Sequence, residues 1–160
     1  MRTMSTASRS ALIAVALLAV PLAASAQNLH PALHVVEGQG CECCVEWTNH
    51  LRQQGFEVTS EKRFGTLLMK HKIDRGVPVE HASCHTGEID GYFLEGHVPV
   101  EDIRRLLQDR PDAAGLAVPG MPYGSPGMGP ESEREAYDVL LIRKDGSTEV
   151  FSSYPAADGR

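Results

Sequence analysis

The sequence predicts a single domain that mixes helices and strands, α/β in the broad sense and α+β in the strict one. Strand, helix, strand, helix, hairpin, helix and hairpin follow one another. Three observations support this class. Short apolar runs end at glycines, as strands do, and other segments repeat apolar residues at helical spacing. Two β-rich runs have Asp-Gly at their centre, which is typical of tight hairpins. The predicted order is therefore βαβαββα with an added C-terminal β-hairpin.

The first strand and helix have the clearest signals. Leu33 to Glu37 is an apolar-rich run followed by a Gly-rich loop, which predicts a strand that enters a tight turn. The apolar positions Cys44, Trp47 and Leu51 then recur at helical spacing, and Gly55 follows as a C-terminal stop. We expect Cys44 in the first, buried turn of this helix.

The remaining elements follow from similar patterns. We predict a strand over 56–59, a helix over 65–72 and a hairpin over 88–94. Pro99 opens a helix that ends near Arg110, with acidic residues in its first turn. Residues 114–130 are rich in Pro and Gly and predict a loop. A final hairpin is predicted with strands over 137–143 and 148–154.

This element order is that of thioredoxins, so the sequence predicts a thioredoxin-like fold. The thiol cluster Cys41-Glu42-Cys43-Cys44 lies between the first strand and helix, where a thioredoxin carries its redox loop. Cys41 and Cys44 have the C-x-x-C spacing.

Residues 1–26 predict a cleaved signal peptide. Arg2 and Arg9 form a positive n-region, an apolar stretch follows over 11–20, and Ala24-Ser25-Ala26 is a cleavage site. The apolar stretch is about half of the roughly 20 residues that span a bilayer. We therefore expect an exported, soluble periplasmic protein without a membrane anchor, formed by one metal-binding domain over 27–160.

The charge of the chain argues against nucleic acid as a partner. The formal net charge is −6, and loss of the two signal-peptide arginines takes it to about −8. No run of Lys or Arg provides a stripe for phosphates.

The thiol cluster indicates metal binding or redox chemistry. Two structural disulfides are an alternative in an exported protein, but adjacent Cys43 and Cys44 pair poorly with each other, and disulfide scaffolds spread their cysteines. At a helix N-terminus the dipole favours the thiolate, which both binds metals and attacks disulfides. The residues thus leave open a copper protein, a thiol-disulfide oxidoreductase using Cys41 and Cys44, and a disulfide-stapled domain that binds a partner.

Further soft ligand candidates occur downstream. They are Cys84 with His85, then His97, and Met121 and Met128 in the Pro/Gly-rich segment. A buried core cysteine, a capping histidine and gap-filling methionines are the ordinary interpretations of these residues. Together with the thiols they form a set that suits Cu(I). Zinc suits it less, because paired zinc ligands are commonly two to four residues apart, whereas adjacent thiolates can bridge several metals.

Five motifs in order make the chain resemble one family over roughly residues 33–154. It is the domain-of-unknown-function family of predicted metal-binding proteins that includes the periplasmic copper-resistance protein CopG. The motifs are Cys-x-Cys-Cys followed by Trp47, Ser83-Cys84-His85-Thr86, Gly91-Tyr92, Glu95-Gly96-His97-Val98-Pro99, and the stretch 117–128 with two Pro-Gly-Met units.

The resemblance implies a thioredoxin-like fold, copper bound at the cysteine cluster, and a role in copper resistance that includes interconversion of Cu(I) and Cu(II). Copper ions and other periplasmic copper-handling proteins are the implied partners. One departure is Glu42, where the family often has Gly. The implied metal ligands are Cys41, Cys43, Cys44, Cys84, His85, His97, Met121 and Met128.

Overall fold

The computed structural model describes residues 31–157, so the predicted signal peptide lies outside the described residues. Seven strands and three α-helices are formed within them. In chain order they are β1 (Leu33–Gly38), α1 (Glu42–Gln53), β2 (Val58–Arg63), α2 (Gly65–Asp74), β3 (His85–Ile89), β4 (Tyr92–Glu95), α3 (Val100–Asp109), β5 (Gly115–Ala117), β6 (Tyr137–Ile142) and β7 (Thr148–Tyr154).

The strands form one mixed sheet in the order β2-β1-β3-β4-β5-β6-β7. The pairs β1/β2 and β4/β5 are parallel, and the other neighbours are antiparallel. Each parallel pair is connected through a helix, α1 or α3, as parallel strands require. Among residues 31–157, no helix combines the length and the apolar content needed to cross a bilayer.

The predicted α+β class and the βαβαββα order are confirmed, and so is the closing hairpin. The turn between β3 and β4 is Asp90-Gly91, and both residues have positive φ angles, 48° and 86°, as the favoured two-residue hairpin turn requires. The thioredoxin-like assignment stays a prediction, to which this order conforms.

Two predicted boundaries are wrong. The second strand covers Val58–Arg63 rather than 56–59, because its pairing with β1 begins at Leu33 opposite Val58. The 114–130 loop contains β5, which pairs with both β4 and β6. Three residues are too few to show a strand period, so only their neighbours define this strand.

The main core lies between the sheet and the helices α1 and α3. Trp47 and Leu51 of α1 and Ile103 and Leu106 of α3 are buried there against strand residues. The helix α2 packs on the sheet as well, and there it carries a buried lysine, Lys72. Strand register determines where the thiol cluster lies. Because Glu37 of β1 pairs with His85 of β3, the loop between β1 and α1 lies at the same end of the sheet as the start of β3.

Candidate metal centre

The thiol cluster forms the N-terminus of α1. Cys41 is the N-cap residue and has an extended backbone, while Cys44 is fully buried, as predicted. Cys41 and Cys44 are joined by a disulfide, and Cys43 and Cys84 are free. The alternative of two structural disulfides, which the sequence argued against, therefore does not hold, and the pairing is that of the C-x-x-C motif.

The fold brings the fourth cysteine to this cluster. Cys84 directly precedes β3, and the Sγ atoms of all four cysteines, Cys41, Cys43, Cys44 and Cys84, lie within 4.8 Å of one another. The Sγ atom of Cys43 is 3.5 Å from that of Cys41. Four sulfur atoms thus occupy one small volume, at the distances that metal ligands need.

Two imidazoles complete a second, overlapping group. The Sγ atom of Cys84 lies 3.3 Å from Nδ1 of His85 and 3.3 Å from Nε2 of His97. Nδ1 of His97 is 2.7 Å from the carbonyl oxygen of Pro126, which can only accept, so this nitrogen carries the proton. Nε2 of His97 therefore presents its lone pair to Cys84, the arrangement that a histidine ligand needs.

His85 is held by aromatic packing. Its ring centroid lies 4.3 Å from that of Trp47 and 5.1 Å from that of His97. The indole Nε1 of Trp47 donates to the carbonyl oxygen of Val98, 3.0 Å away, which fixes the tryptophan in turn. Nε2 of His85 is buried without a hydrogen-bond partner. A buried polar atom of this kind is unusual, and a ligand would satisfy it.

Burial governs the protonation of this group. Burial, followed by the nearby Cys43, raises the pKa of the Cys84 thiol to about 12. Burial also lowers the pKa of His85, as does the neighbouring His97, and burial lowers the pKa of His97. At neutral pH the two imidazoles are therefore uncharged and Cys84 carries its proton, so a metal must displace that proton to bind.

The Pro/Gly-rich segment 119–130 packs over the thiol cluster through its backbone. Gly127 has a φ of +82°, and a Cβ there would lie 2.6 Å from the Trp47 nitrogen and 3.1 Å from the Cys43 carbonyl oxygen. Pro126 accepts the hydrogen bond from His97 described above, and Ser83 Oγ donates to the carbonyl oxygen of Gly120 at 2.6 Å. We call residues 119–130 the covering loop.

The two predicted methionine ligands differ in position. Met128 is half-buried and directly follows Gly127, whose backbone packs against α1. Met121 is 56% exposed and lines a cavity of about 470 Å³ with Pro122 and Tyr137. Glu42 is exposed at the start of α1. The six predicted cysteine and histidine ligands converge, whereas Met121 lies in the wall of a different cavity.

Sequence reasoning assigned no role to a buried polar cluster beside the site. Lys72, Thr86 and Glu95 are all buried and hydrogen-bonded to one another. The sequence did contain one indication that Lys72 faces inward, because this residue lies four positions after Leu68 and so on the same face of α2. A lysine on an inward face needs a buried anion, which Glu95 supplies.

The donor chemistry of the site fits a soft metal ion. With the disulfide reduced, four thiols and two neutral imidazoles are available, and thiolate sulfur selects Cu(I) over hard ions. With Cys41 and Cys44 bonded, the thiols of Cys43 and Cys84 and the two histidines remain. The number of sulfur ligands therefore depends on the redox state of Cys41 and Cys44.

Two solved structures share this fold closely. Both are titled as forms of the copper resistance protein CopG. Form 1 is 42% identical with a TM-score of 0.74, and the alignment covers 79% of this chain and 99% of that one. This chain belongs to the CopG family. Form 2 is 43% identical with a TM-score of 0.72 and the same coverage.

The family model described as a protein of unknown function, DUF411, matches residues 81–128 of this CopG-family chain. This range begins just before Cys84 and ends at Met128, and so includes both histidines of the metal centre. No curated protein matches the chain. Membership of the CopG family together with the cysteine cluster indicates a copper-related function.

Proposed function

We propose that this protein binds copper in the periplasm and contributes to copper resistance. One observation carries the proposal: four cysteine sulfurs converge within 4.8 Å in a chain that belongs to the CopG family. The signal peptide predicted over residues 1–26 supports export to the periplasm. Copper-handling proteins of the same compartment are the expected donors and acceptors of the metal.

In the reduced protein, Cu(I) is bound by Cys41, Cys43, Cys44 and Cys84. Because Cys43 and Cys44 are adjacent, their thiolates bridge metals rather than serve one tetrahedral ion, so more than one copper is bound. His85 and His97 add neutral nitrogen ligands. The covering loop adds a thioether from Met128, rather than from Met121 in the separate cavity, and a thioether binds Cu(I) without losing a proton.

The same site interconverts the copper oxidation states. Two Cu(II) ions each take one electron from the Cys41 and Cys44 dithiol, which gives two Cu(I) ions, one disulfide and two protons. Such a step would produce the bond that joins Cys41 and Cys44 in the structure, which is compatible with the proposal. Its return to the dithiol requires two electrons and two protons from an external thiol reductant.

Metal analysis and a thiol count on anaerobically purified protein test the proposal. We expect the reduced protein to bind more than one equivalent of Cu(I) with no disulfide. Cu(II) added to the reduced, metal-free protein should yield Cu(I), detected with a Cu(I)-specific chelator, and one disulfide per two copper ions. Absence of Cu(I) binding by the reduced protein contradicts the proposal.

The disulfide also favours a second candidate function, thiol-disulfide oxidoreductase chemistry at Cys41 and Cys44. Their bridge lies at the N-terminus of α1, where thiolates are stabilised. Cys43 separates the two functions, since dithiol exchange does not need a third thiol. Two results together would support the oxidoreductase. The wild-type protein would bind no copper, and the Cys43→Ser variant would reduce a disulfide substrate as fast as the wild type.

A further inference from the structure

A buried ion pair lies beside the segment that carries Cys84 and His85. Lys72 of α2 is 1% exposed and Glu95 at the end of β4 is fully buried. The Lys72 Nζ atom is 2.6 Å from Oε1 of Glu95 and 3.0 Å from Oγ1 of Thr86. The ammonium group is therefore held by a carboxylate and a hydroxyl, both inside the protein.

The Glu95 carboxylate holds both sides of the ligand segment. The backbone N–H of Ser83 donates to Oε1 at 2.5 Å, and the hydroxyl of Thr86 donates to Oε2 at 2.6 Å. Cys84 and His85 are the two residues between these anchors. One carboxylate thus fixes the chain immediately before and immediately after two metal-ligand candidates.

Thr86 and His85, which are neighbours in β3, face opposite sides of the sheet. Successive side chains of a strand point to opposite faces. Thr86 accordingly contacts Lys72 of α2, whereas His85 packs against Trp47 of α1. The ion pair can therefore set the position of His85 from the other face of the sheet, without touching a metal bound by that histidine.

His97 is connected to the same carboxylate through the chain. Glu95 is followed by Gly96, whose φ is +72° and where a Cβ would lie 2.6 Å from the Val118 carbonyl oxygen. The N–H of Gly96 donates to the carbonyl oxygen of His85 at 3.1 Å. This tight, hydrogen-bonded turn transmits the position of Glu95 to His97.

Stability alone is a weak explanation for such a pair. The desolvation of two charges opposes folding, and apolar residues of similar volume often serve a core equally well. Hydrogen-bonded groups behind metal ligands, by contrast, orient those ligands. We propose that Lys72, Thr86 and Glu95 are positioning residues, which hold Cys84, His85 and His97 in the geometry that binds copper. This inference rests on the proposed copper function.

The hydroxyl of Thr86 offers the mildest test. Thr86→Val removes the hydroxyl and keeps the volume, and Thr86→Ser keeps the hydroxyl. We expect Thr86→Val to lower Cu(I) affinity about tenfold or more, as loss of outer-shell partners typically does. Thr86→Ser should restore wild-type affinity. A competition titration with a Cu(I) chelator measures both variants.

A second readout needs no copper. In oxidised protein carrying Cys43→Ser, Cys84 is the one remaining free thiol. Thr86→Val in that background should increase the rate of Cys84 alkylation several-fold, because the loosened segment exposes the thiol. If the wild-type protein binds no copper but Thr86→Val still increases the alkylation rate of Cys84, the copper function fails and the positioning of the segment stands.

Asp102→Asn is the matched control. Asp102 is a buried carboxylate that accepts from the Tyr154 hydroxyl at 2.7 Å and joins α3 to the last hairpin. This variant should lower stability while leaving Cu(I) affinity and Cys84 alkylation unchanged. Two results overturn the inference: Thr86→Val with wild-type affinity and alkylation rate, or Thr86→Ser with the same defects as Thr86→Val.

Discussion

The Sγ atom of Cys84 lies 3.3 Å from Nε2 of His97, although the two residues are 13 positions apart. The other ring nitrogen of His97 donates a hydrogen bond to the carbonyl oxygen of Pro126. The contact between Cys84 and His97 therefore joins the start of β3, the turn that follows β4, and the covering loop. Together with the thiols at the N-terminus of α1, the candidate metal centre is therefore assembled from four segments.

Replacement of Cys43 should weaken copper binding as severely as replacement of Cys41. Bridging thiolates hold metals jointly, so loss of either should lower Cu(I) affinity by at least about tenfold. Anaerobic chelator competition on Cys43→Ser and Cys41→Ser measures this, with His50→Gln on α1 as a control. Unchanged stoichiometry and affinity in Cys43→Ser would remove the multinuclear site and restore the plain C-x-x-C interpretation.

Gly127→Ala should displace the covering loop from α1. The new Cβ would lie 2.6 Å from the backbone nitrogen of Trp47, in a left-handed conformation. Gly120→Ala is the matched control, because its φ is +71° but no atom lies within 4 Å of its added Cβ. Both variants pay about 1–2 kcal/mol of backbone strain.

Only Gly127→Ala should also raise the protease sensitivity of the covering loop and weaken Cu(I) binding. Denaturant unfolding measures the strain, limited proteolysis measures the exposure of the loop, and a Cu(I) chelator competition measures copper binding. Equal behaviour of the two variants in all three measurements would mean that the contact of Gly127 with α1 has no part in the site.

Replacement of Met121 and Met128 together by Leu should lower Cu(I) affinity and copper-dependent protection of the covering loop from proteases. Leucine keeps the apolar bulk but removes the sulfur, so a packing role would survive and a ligand role would not. Because Met128 directly follows Gly127, whose backbone packs against α1, and Met121 lines another cavity, Met128→Leu alone should account for most of the loss. Wild-type affinity and protection in the double variant would make the loop only a linker.

Alkylation of Cys84 should depend on pH in an unusual range. Burial, followed by the nearby Cys43, raises the pKa of this thiol from the ordinary value of 9.0 to about 12. The thiolate is the reactive form, and in oxidised Cys43→Ser protein burial still raises the pKa although the contribution of Cys43 is removed. The rate should therefore stay low at pH 8 and still be rising above pH 9. The same protein in denaturant should titrate near the ordinary value.

The raised pKa of Cys84 also makes the free energy of unfolding depend on pH. The folded state keeps Cys84 protonated more strongly than the unfolded state does. Its contribution to the free energy of unfolding is therefore complete below pH 9 and is lost as the pH rises from there towards 12. A Cys84→Ser variant should lack this part of the pH dependence, which denaturant unfolding between pH 7 and 10 measures.

Local spacing was sufficient to predict most elements. The positions of Cys44, Trp47 and Leu51 predicted α1 and its buried first turn, and Asp90-Gly91 predicted the β3/β4 turn, because such signals act within a few residues. The short strand β5 could not be predicted in this way. Its three residues are a strand only because β4 and β6 supply hydrogen-bond partners on both sides.

The sequence by itself determined the chemical class of the site, since thiols, imidazoles and thioethers are soft ligands wherever they lie. Only the tertiary structure decided which of them meet. Strand register brings Cys84 to the thiols at the start of α1, and burial pairs Lys72 with Glu95 behind it. The physical reason is that contacts between distant residues depend on how strands pair and helices pack, and residue spacing along the chain does not encode either one directly.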